Sequence, residues 1–375
     1  MFIVTNREVN ESRSDVSAFG EVANRRGPNE LRMAEAHRVG GKWKINILPD
    51  QISADMAASA ELPHTVDAMG NAVGDKGEPI FASRYVARKL LARVNPRMVG
   101  DRRSKGRGLL FFVHGFNNNV KDVLDRAARL SNTYGVEVLA FSWPANGGGF
   151  KGVASYKSDK RDAQASVGAL DRCLAKLSDY LQAAHQEHVS KVEKRANELY
   201  GDNAEKWDQF FTRQSEQWCD FPVTMMLHSM GNYLYKHLLM SSAYRGNVLI
   251  FDNVIMAAAD TNNEDHRQWV DRIPVRRRLY VTINENDGAL RASRMKMGEE
   301  QKARLGHWPF DLDSQRAVYV DFTHANGIGD SHAYFEGTAV TKNQRVRRFF
   351  QQALEGEAAE ERLEFDAARN LYRVK

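Results

Sequence analysis

The sequence predicts an α/β fold with an open, mostly parallel central sheet and helices on both faces. Three observations predict it. Short continuous apolar runs recur through the chain, beginning with Gly108-Leu-Leu-Phe-Phe-Val113, and such runs suit strands buried on both faces. Amphipathic helical stretches alternate with them. Polar or glycine-bearing loops follow the runs, where ligands of such folds bind, beyond the carboxyl ends of the strands.

Taken in order, Phe2 to Thr5 suits an initial strand, and Glu8 to Pro63 alternates polar turns with patches such as Trp43-Lys-Ile-Asn-Ile-Leu48, a hairpin-like pattern. A helical stretch covers Phe81 to Val94, and a basic loop, Asp101 to Arg107, follows. After the Gly108–Val113 strand, residues 119 to 133 place Val120, Val123, Leu124, Ala127 and Leu130 on one helical side. Val136 to Phe141 is the next strand, closed by Trp143-Pro144 and the Gly147–Gly149 loop. A long helix is expected over about 158 to 185. Residues 186 to 218 then interrupt the rhythm with charged helical sequence bearing Tyr200, Trp207, Phe210, Phe211 and Trp218. That stretch reads either as a lid or as a surface helical hairpin.

Met225 to Leu227 lead to Ser229, and a helix is expected from 231 to 242. Strands are expected at Val248–Phe251, Val254–Ala257, Leu279–Ile283 and Val318–Phe322. A last helix is expected from near Ser331, taking in Val346 to Leu354. The charged, helix-prone Glu355–Lys375 segment is expected outside the core. The domain reading is therefore 1–107 as the N-terminal part, 108–354 as the core with its insertion, and 355–375 as an extension.

Composition bounds the function classes. At 375 residues, with 42% hydrophobic and 27% charged residues, the chain can bury a sizeable core under a charged surface. A net charge of +5 and a pI near 9.0 are too mild for a nucleic-acid signature, because 53 basic residues face 48 acidic ones. Cys173 and Cys219 form no CxxC pair, which suits thiols in a reducing compartment. Residues 1 to 20 lack an export signal, and nowhere do 18 apolar residues run together, so the expectation is a soluble, cytoplasmic, bacterial-type protein. No HxxxH, HExxH or Asp/His cluster points to a metal and no GxxxxGK run to a nucleotide, so no cofactor is expected.

The chemistry centres on Val223-Thr-Met-Met-Leu-His-Ser229-Met-Gly231, an apolar run that ends at a serine and reopens as a helix. A sharp strand-to-helix turn holds a serine hydroxyl out for reaction and aims the helix N-terminus at a developing oxyanion. The general pattern is G-x-S-x-G, but its first small position is Leu227 here, so the segment alone does not make Ser229 catalytic. The loop His114-Gly115-Phe116-Asn117 can turn the Phe116 N–H into a cavity, with the Met230 N–H as second oxyanion donor; a plain glycine turn with asparagine capping reads the same residues. Asp287 stands past a strand, as does Asp260; either could orient an imidazole, and either could be a helix N-cap. Asp287 suits the Ser…Asp…His order better. His332, in a glycine-bearing loop after the last strand, is the first choice of base, and His324 the second. His114 and His228 read as structural.

Six segments taken together resemble a family: Phe2–Arg7, Phe111–Asn118, Phe141–Pro144, Tyr156–Ala163, His228–Asn232 and Asn286–Leu290. In this order they resemble the α/β-hydrolases of the DUF900 type, bacterial proteins described as predicted esterases or lipases. The resemblance covers most of the chain to about residue 335. It implies an α/β-hydrolase fold, Ser229 as nucleophile, Asp287 as acid, His332 as base, and Phe116 with Met230 as oxyanion donors. The departure is Leu227, where the family pattern has Ala. The expected activity is hydrolysis of a small acyl substrate, most simply a carboxylic ester. The rival is a non-catalytic scaffold that uses loop 101–107 and the aromatic insertion to bind a protein partner or an anionic surface.

Overall fold

The structure, a computed structural model, describes residues 1–96, 106–145, 156–216, 221–241, 249–294 and 302–375. These divide into two units, one of residues 1–48, 109–173 and 223–375, the other of 49–108 and 174–222. In chain order the strands are β1 (Phe2–Thr5), β2 (Arg7–Val9), β3 (Phe19–Ala23), β4 (Arg32–Val39), β5 (Lys42–Ile47), β6 (Thr65–Val66) and β7 (Ala72–Val73). There follow β8 (Leu109–Val113), β9 (Glu137–Ser142), β10 (Val223–His228), β11 (Asn253–Ala257), β12 (Arg278–Ile283), β13 (Ala317–Asp321), β14 (Glu364–Asp366) and β15 (Leu371–Arg373).

Eleven of these strands build one sheet in the order β14-β15-β13-β12-β11-β10-β8-β9-β1-β4-β5. From β15 across to β1 every pairing is parallel; β14 pairs antiparallel with β15 at one side, and β4 with β1 and β5 with β4 at the other. β8, β10 and β11 are completely buried, which explains why they read as unbroken apolar runs rather than as alternating ones. The Val120–Tyr134 helix buries the side anticipated from its periodicity. It begins in a capping box between Asn119 and Asp122 and ends at Gly135 with φ 69°. The Gln344–Leu354 helix buries Val346, Phe349, Phe350 and Leu354 against the same core, where Phe350 stacks on Phe322.

The other unit holds β6, β7, the Ala54–Ser59 and Ala82–Val94 helices and most of a helical hairpin. In that hairpin the Val167–Tyr200 and Ala204–Glu216 helices run back along each other. His188 meets the Gln214 carbonyl, Trp207 Nε1 donates to Asn197 Oδ1, and Tyr200 packs on Phe210. The described aromatics of this stretch thus serve packing within the hairpin. Trp218, Cys219, most of the basic loop 101–107 and the Gly147–Gly149 loop lie outside the described residues.

Four expectations are corrected. The helix expected over 158–185 is two, Tyr156–Ala165 and Val167–Tyr200, because the Ser166 hydroxyl bonds back to the Asp162 carbonyl and also accepts from Asn6. No strand forms over 249–251, which are irregular although Ile250 and Phe251 are buried; apolarity places a segment inside but does not supply a ladder partner. The last helix, expected from near Ser331, is two: Thr338–Lys342, after turns that end at Gly337 with φ 65°, and Gln344–Leu354, capped by the Asn343 side chain. Residues 355–375 are not helical: β14 and β15 form a hairpin, and β15 pairs parallel to β13 with Val320 opposite Tyr372. Leu371 in that short strand and Val374 just after it are buried, but the charges around them hid the pattern.

Candidate active site

β10 ends at His228, and the next residue carries the strain. Ser229 has φ 53° and ψ −121°, a conformation that costs a non-glycine residue about 1–3 kcal/mol and persists only where its surroundings enforce it. The enforcement is visible. The Ser229 N–H donates to the Ala257 carbonyl, and the Asn232 side chain donates to the carbonyls of Leu227 and Ser229. A Cβ on Gly231 would lie 2.8 Å from the Val113 oxygen and 2.9 Å from the His114 oxygen, so the helix that starts at Met230 can approach β8 only with glycine there. Leu227 sits inside the strand instead, buried between Val113 and Met256 in the sheet register. The elbow reaches its strained form with that large side chain in place; the position that must be small is 231.

The His114–Asn118 loop lies directly against the serine. A Cβ on Gly115 would come within 2.7 Å of Ser229 Cβ and 3.2 Å of its Oγ. The Gly115 carbonyl accepts from His114 Nδ1 at 2.7 Å and from Asn118 Nδ2 at 3.3 Å. In a planar trans peptide the N–H points opposite to the C=O, so the Phe116 N–H is turned away from both groups. Met230 is the first residue of its helix, where an N–H has no intrahelical acceptor. Met230 thus directly follows Ser229, and the Gly115–Phe116 peptide belongs to the loop packed on it.

Asp287 and His332 come together. His332 Nδ1 donates to Asp287 Oδ2 at 2.7 Å, while Asp287 Oδ1 accepts from the Ala289 and Leu290 N–H groups at the head of the Gly288–Arg294 helix. The helix-cap and imidazole-orienting readings of Asp287 are thus both true, one per oxygen. With its proton on Nδ1, His332 keeps the Nε2 lone pair. His332 also packs on the elbow: its ring lies 4.7 Å from that of His228, whose Nε2 bonds the His332 carbonyl at 3.0 Å. Ser229 Oγ is buried and makes no hydrogen bond among the described residues, so its contact to the imidazole is the one not made in this geometry.

The second-choice residues go elsewhere. Asp260 accepts from Tyr156 and Ser293 and lies 3.3 Å from Arg304 Nε, with no histidine on it among the described residues. His324 is exposed. The two flanking histidines are structural. Burial, with Arg7 and Arg126 adding to it, pushes His114 down to about 3, and its Nε2 accepts from the Trp143 N–H. Burial and then Arg126 likewise hold His228 well below the usual histidine value. Arg126 donates to its Nδ1, so its remaining proton on Nε2 goes to the His332 carbonyl.

Arg7, Asp159 and Glu336 shape the site and were given no role from the sequence. Arg7 is fully buried, lowered to about 10 by that burial, and binds Ser142 Oγ and the Gly20 and Asn118 carbonyls. Asp159 accepts from the Asn117 N–H. Glu336 pairs with Arg126 and Arg129, bracing the arginine that holds His228. The segments Phe2–Arg7 and Tyr156–Ala163 were legible as motifs; that Arg7 and Asp159 grip the 115–118 loop was not. Among the described residues no group of three or more His, Cys, Asp and Glu side chains could hold a metal ion. No helix there is long and apolar enough to cross a membrane.

A parallel sheet with a strained serine elbow after one strand and an Asp–His pair drawn from the ends of two later ones defines the class: this is an α/β-hydrolase fold. Neither a curated protein nor a solved structure matches the chain. The family model "Alpha/beta hydrolase of unknown function (DUF900)" does, over residues 95–192 and 196–329, more than half of the sequence. The chain belongs to that family.

Proposed function

We propose that the protein is a serine hydrolase that cleaves an acyl bond, most simply a carboxylic ester, through an acyl-enzyme on Ser229. The observation that carries this reading is the Asp287–His332 pair seated against a strained elbow whose buried serine oxygen has no partner among the described residues. In the first step Ser229 Oγ attacks the acyl carbonyl and its proton passes to His332 Nε2. Asp287 holds the imidazole by Nδ1 and stabilises the imidazolium. The N–H groups of Phe116 and Met230 receive the oxyanion, a contribution of about 3–4 kcal/mol per donor in comparable sites. His332 then returns the proton to the leaving oxygen, and a water activated by the same imidazole releases the acid.

A fluorophosphonate probe tests this directly. It is expected to label the wild type and not Ser229→Ala, and short p-nitrophenyl esters are expected to turn over only with the serine present. Equal labelling of the two proteins overturns the reading in favour of a non-catalytic scaffold.

A further inference from the structure

Next to the elbow lies a cavity of about 200 Å³ that the proposed reaction does not use. Its walls come from both sides of the nucleophile. Tyr233 and Lys236 stand on the helix that starts at Met230, and Lys160 on the Tyr156–Ala165 helix. Asp260, Thr261 and Arg304 close the rest. The Asp260 N–H donates to the Ser229 carbonyl at 3.2 Å, and Tyr156, under the Lys160 ammonium, meets the Phe116 ring edge-on at 5.4 Å. The cavity therefore adjoins the serine and the proposed oxyanion donors. It is below the ~300–1,000 Å³ of pockets that enclose a whole ligand, a size suited to one substituent.

Its described lining carries three basic side chains, Lys160, Lys236 and Arg304, and one carboxylate, and that carboxylate, Asp260, already accepts from Tyr156 and Ser293 as well as meeting Arg304. The Lys160 ammonium lies over the rings of Tyr156 and Tyr233, at 5.3 and 5.2 Å, and Lys236 has no ion-pair partner within 4 Å among the described residues. Behind the wall, Lys302 is neutralised by Glu264. Burial, with Lys160 and Lys302 adding to it and Asp265 opposing it, holds Lys236 below the ordinary lysine value. Two ammonium groups are thus kept close enough to repel. A separate observation points the same way: Thr261, 2% exposed, lines the cavity, and its hydroxyl has no hydrogen-bond partner among the described residues. Buried hydroxyls are rarely left so, and an oxyanion would accept from it and from both lysines at once.

We propose that this cavity is a subsite for a compact oxyanion, a carboxylate or phosphate carried by the substrate, so that the preferred acyl compounds are anionic. The substrate assignment rests on the serine-hydrolase reading; the binding does not. Glutarate and inorganic phosphate, titrated into Ser229→Ala by calorimetry, test the binding without chemistry. At least one is expected to bind saturably, with affinity falling tenfold or more when Lys160→Gln and Lys236→Gln are added and largely kept in Lys160→Arg, which retains the charge. No binding of either anion, or binding that the paired glutamine changes leave alone, overturns the proposal. With Ser229 present, 4-nitrophenyl hemiglutarate should be preferred over the valerate ester by tenfold or more in kcat/KM, and the paired changes should bring that ratio near one. Lysine-dependent anion binding without fluorophosphonate labelling would sink only the hydrolase reading. Labelling without anion binding would sink only the subsite.

Discussion

Gly231→Ala isolates the demand that the elbow places on the chain. The new methyl would meet the Val113 oxygen at 2.8 Å and the His114 oxygen at 2.9 Å, with the Val113 carbonyl carbon at 3.3 Å. All three are backbone atoms at the end of the fully buried β8 or in the residue after it, so no side chain can swing away. Restoring ordinary contact requires the helix and β8 to part by about 0.5 Å. Overpacking of this kind costs about 1–3 kcal/mol, and rigid backbone neighbours place it at the upper end. The same displacement moves Met230 N–H and Ser229, and misplacing reacting groups by about 1 Å can cost ~10²-fold in rate. The control is Gly288→Ala, whose methyl would meet nothing closer than 3.9 Å and whose φ is not positive. We expect thermal unfolding of Gly231→Ala to fall by roughly 5 °C and fluorophosphonate labelling to slow about a hundredfold, with Gly288→Ala within about 0.5 kcal/mol of wild type. If the two variants unfold together and label alike, the close approach at Gly231 does not set the elbow.

Three further outcomes are expected. Asp287→Asn keeps an oxygen for the Ala289 and Leu290 N–H groups but loses the charge on His332, so labelling of Ser229 should slow by roughly 10²–10⁴-fold with little change in unfolding. Glu336→Ala leaves Arg126, 16% exposed, without its carboxylate; denaturant unfolding should show a loss of about 3 kcal/mol, and a loss under 1 kcal/mol would refute the bracing role. His114 is held neutral, with its folded value lowered to about 3 against an ordinary 6.5. The unfolded chain therefore binds the extra proton first, and the stability present above pH 6.5 is lost as pH falls towards 3, by up to about 1.4 kcal/mol per unit for one group. Denaturant titrations between pH 7 and 4 should show a shallower slope in His114→Asn than in wild type; identical slopes would remove His114 from the acid sensitivity.

What was legible beforehand follows the range of the interactions involved. The Asn119 cap, the buried side of the Val120–Tyr134 helix and the β8 run are decided within a few residues, and their pattern in the chain matched the structure. The C-terminal hairpin was misread because only Leu371 within it and Val374 just after it are buried, among charges. Leu227 raised a doubt that the structure resolves, since the constraint of close approach falls at Gly231, two residues beyond the serine.

By itself the sequence determined the alternation of strand and helix and the chain order of Ser229, Asp287 and His332, because both are written in spacing along one dimension. Only the tertiary structure decided which acid meets which base: Asp287 lies 2.7 Å from His332, while Asp260 joins Tyr156 and Arg304. It alone brought Arg7 beneath the 115–118 loop and gathered Lys160, Lys236 and Arg304 around one cavity. Those contacts join residues separated by about a hundred positions or more in several cases. Their partners are chosen by packing across the sheet, which leaves no local pattern to read.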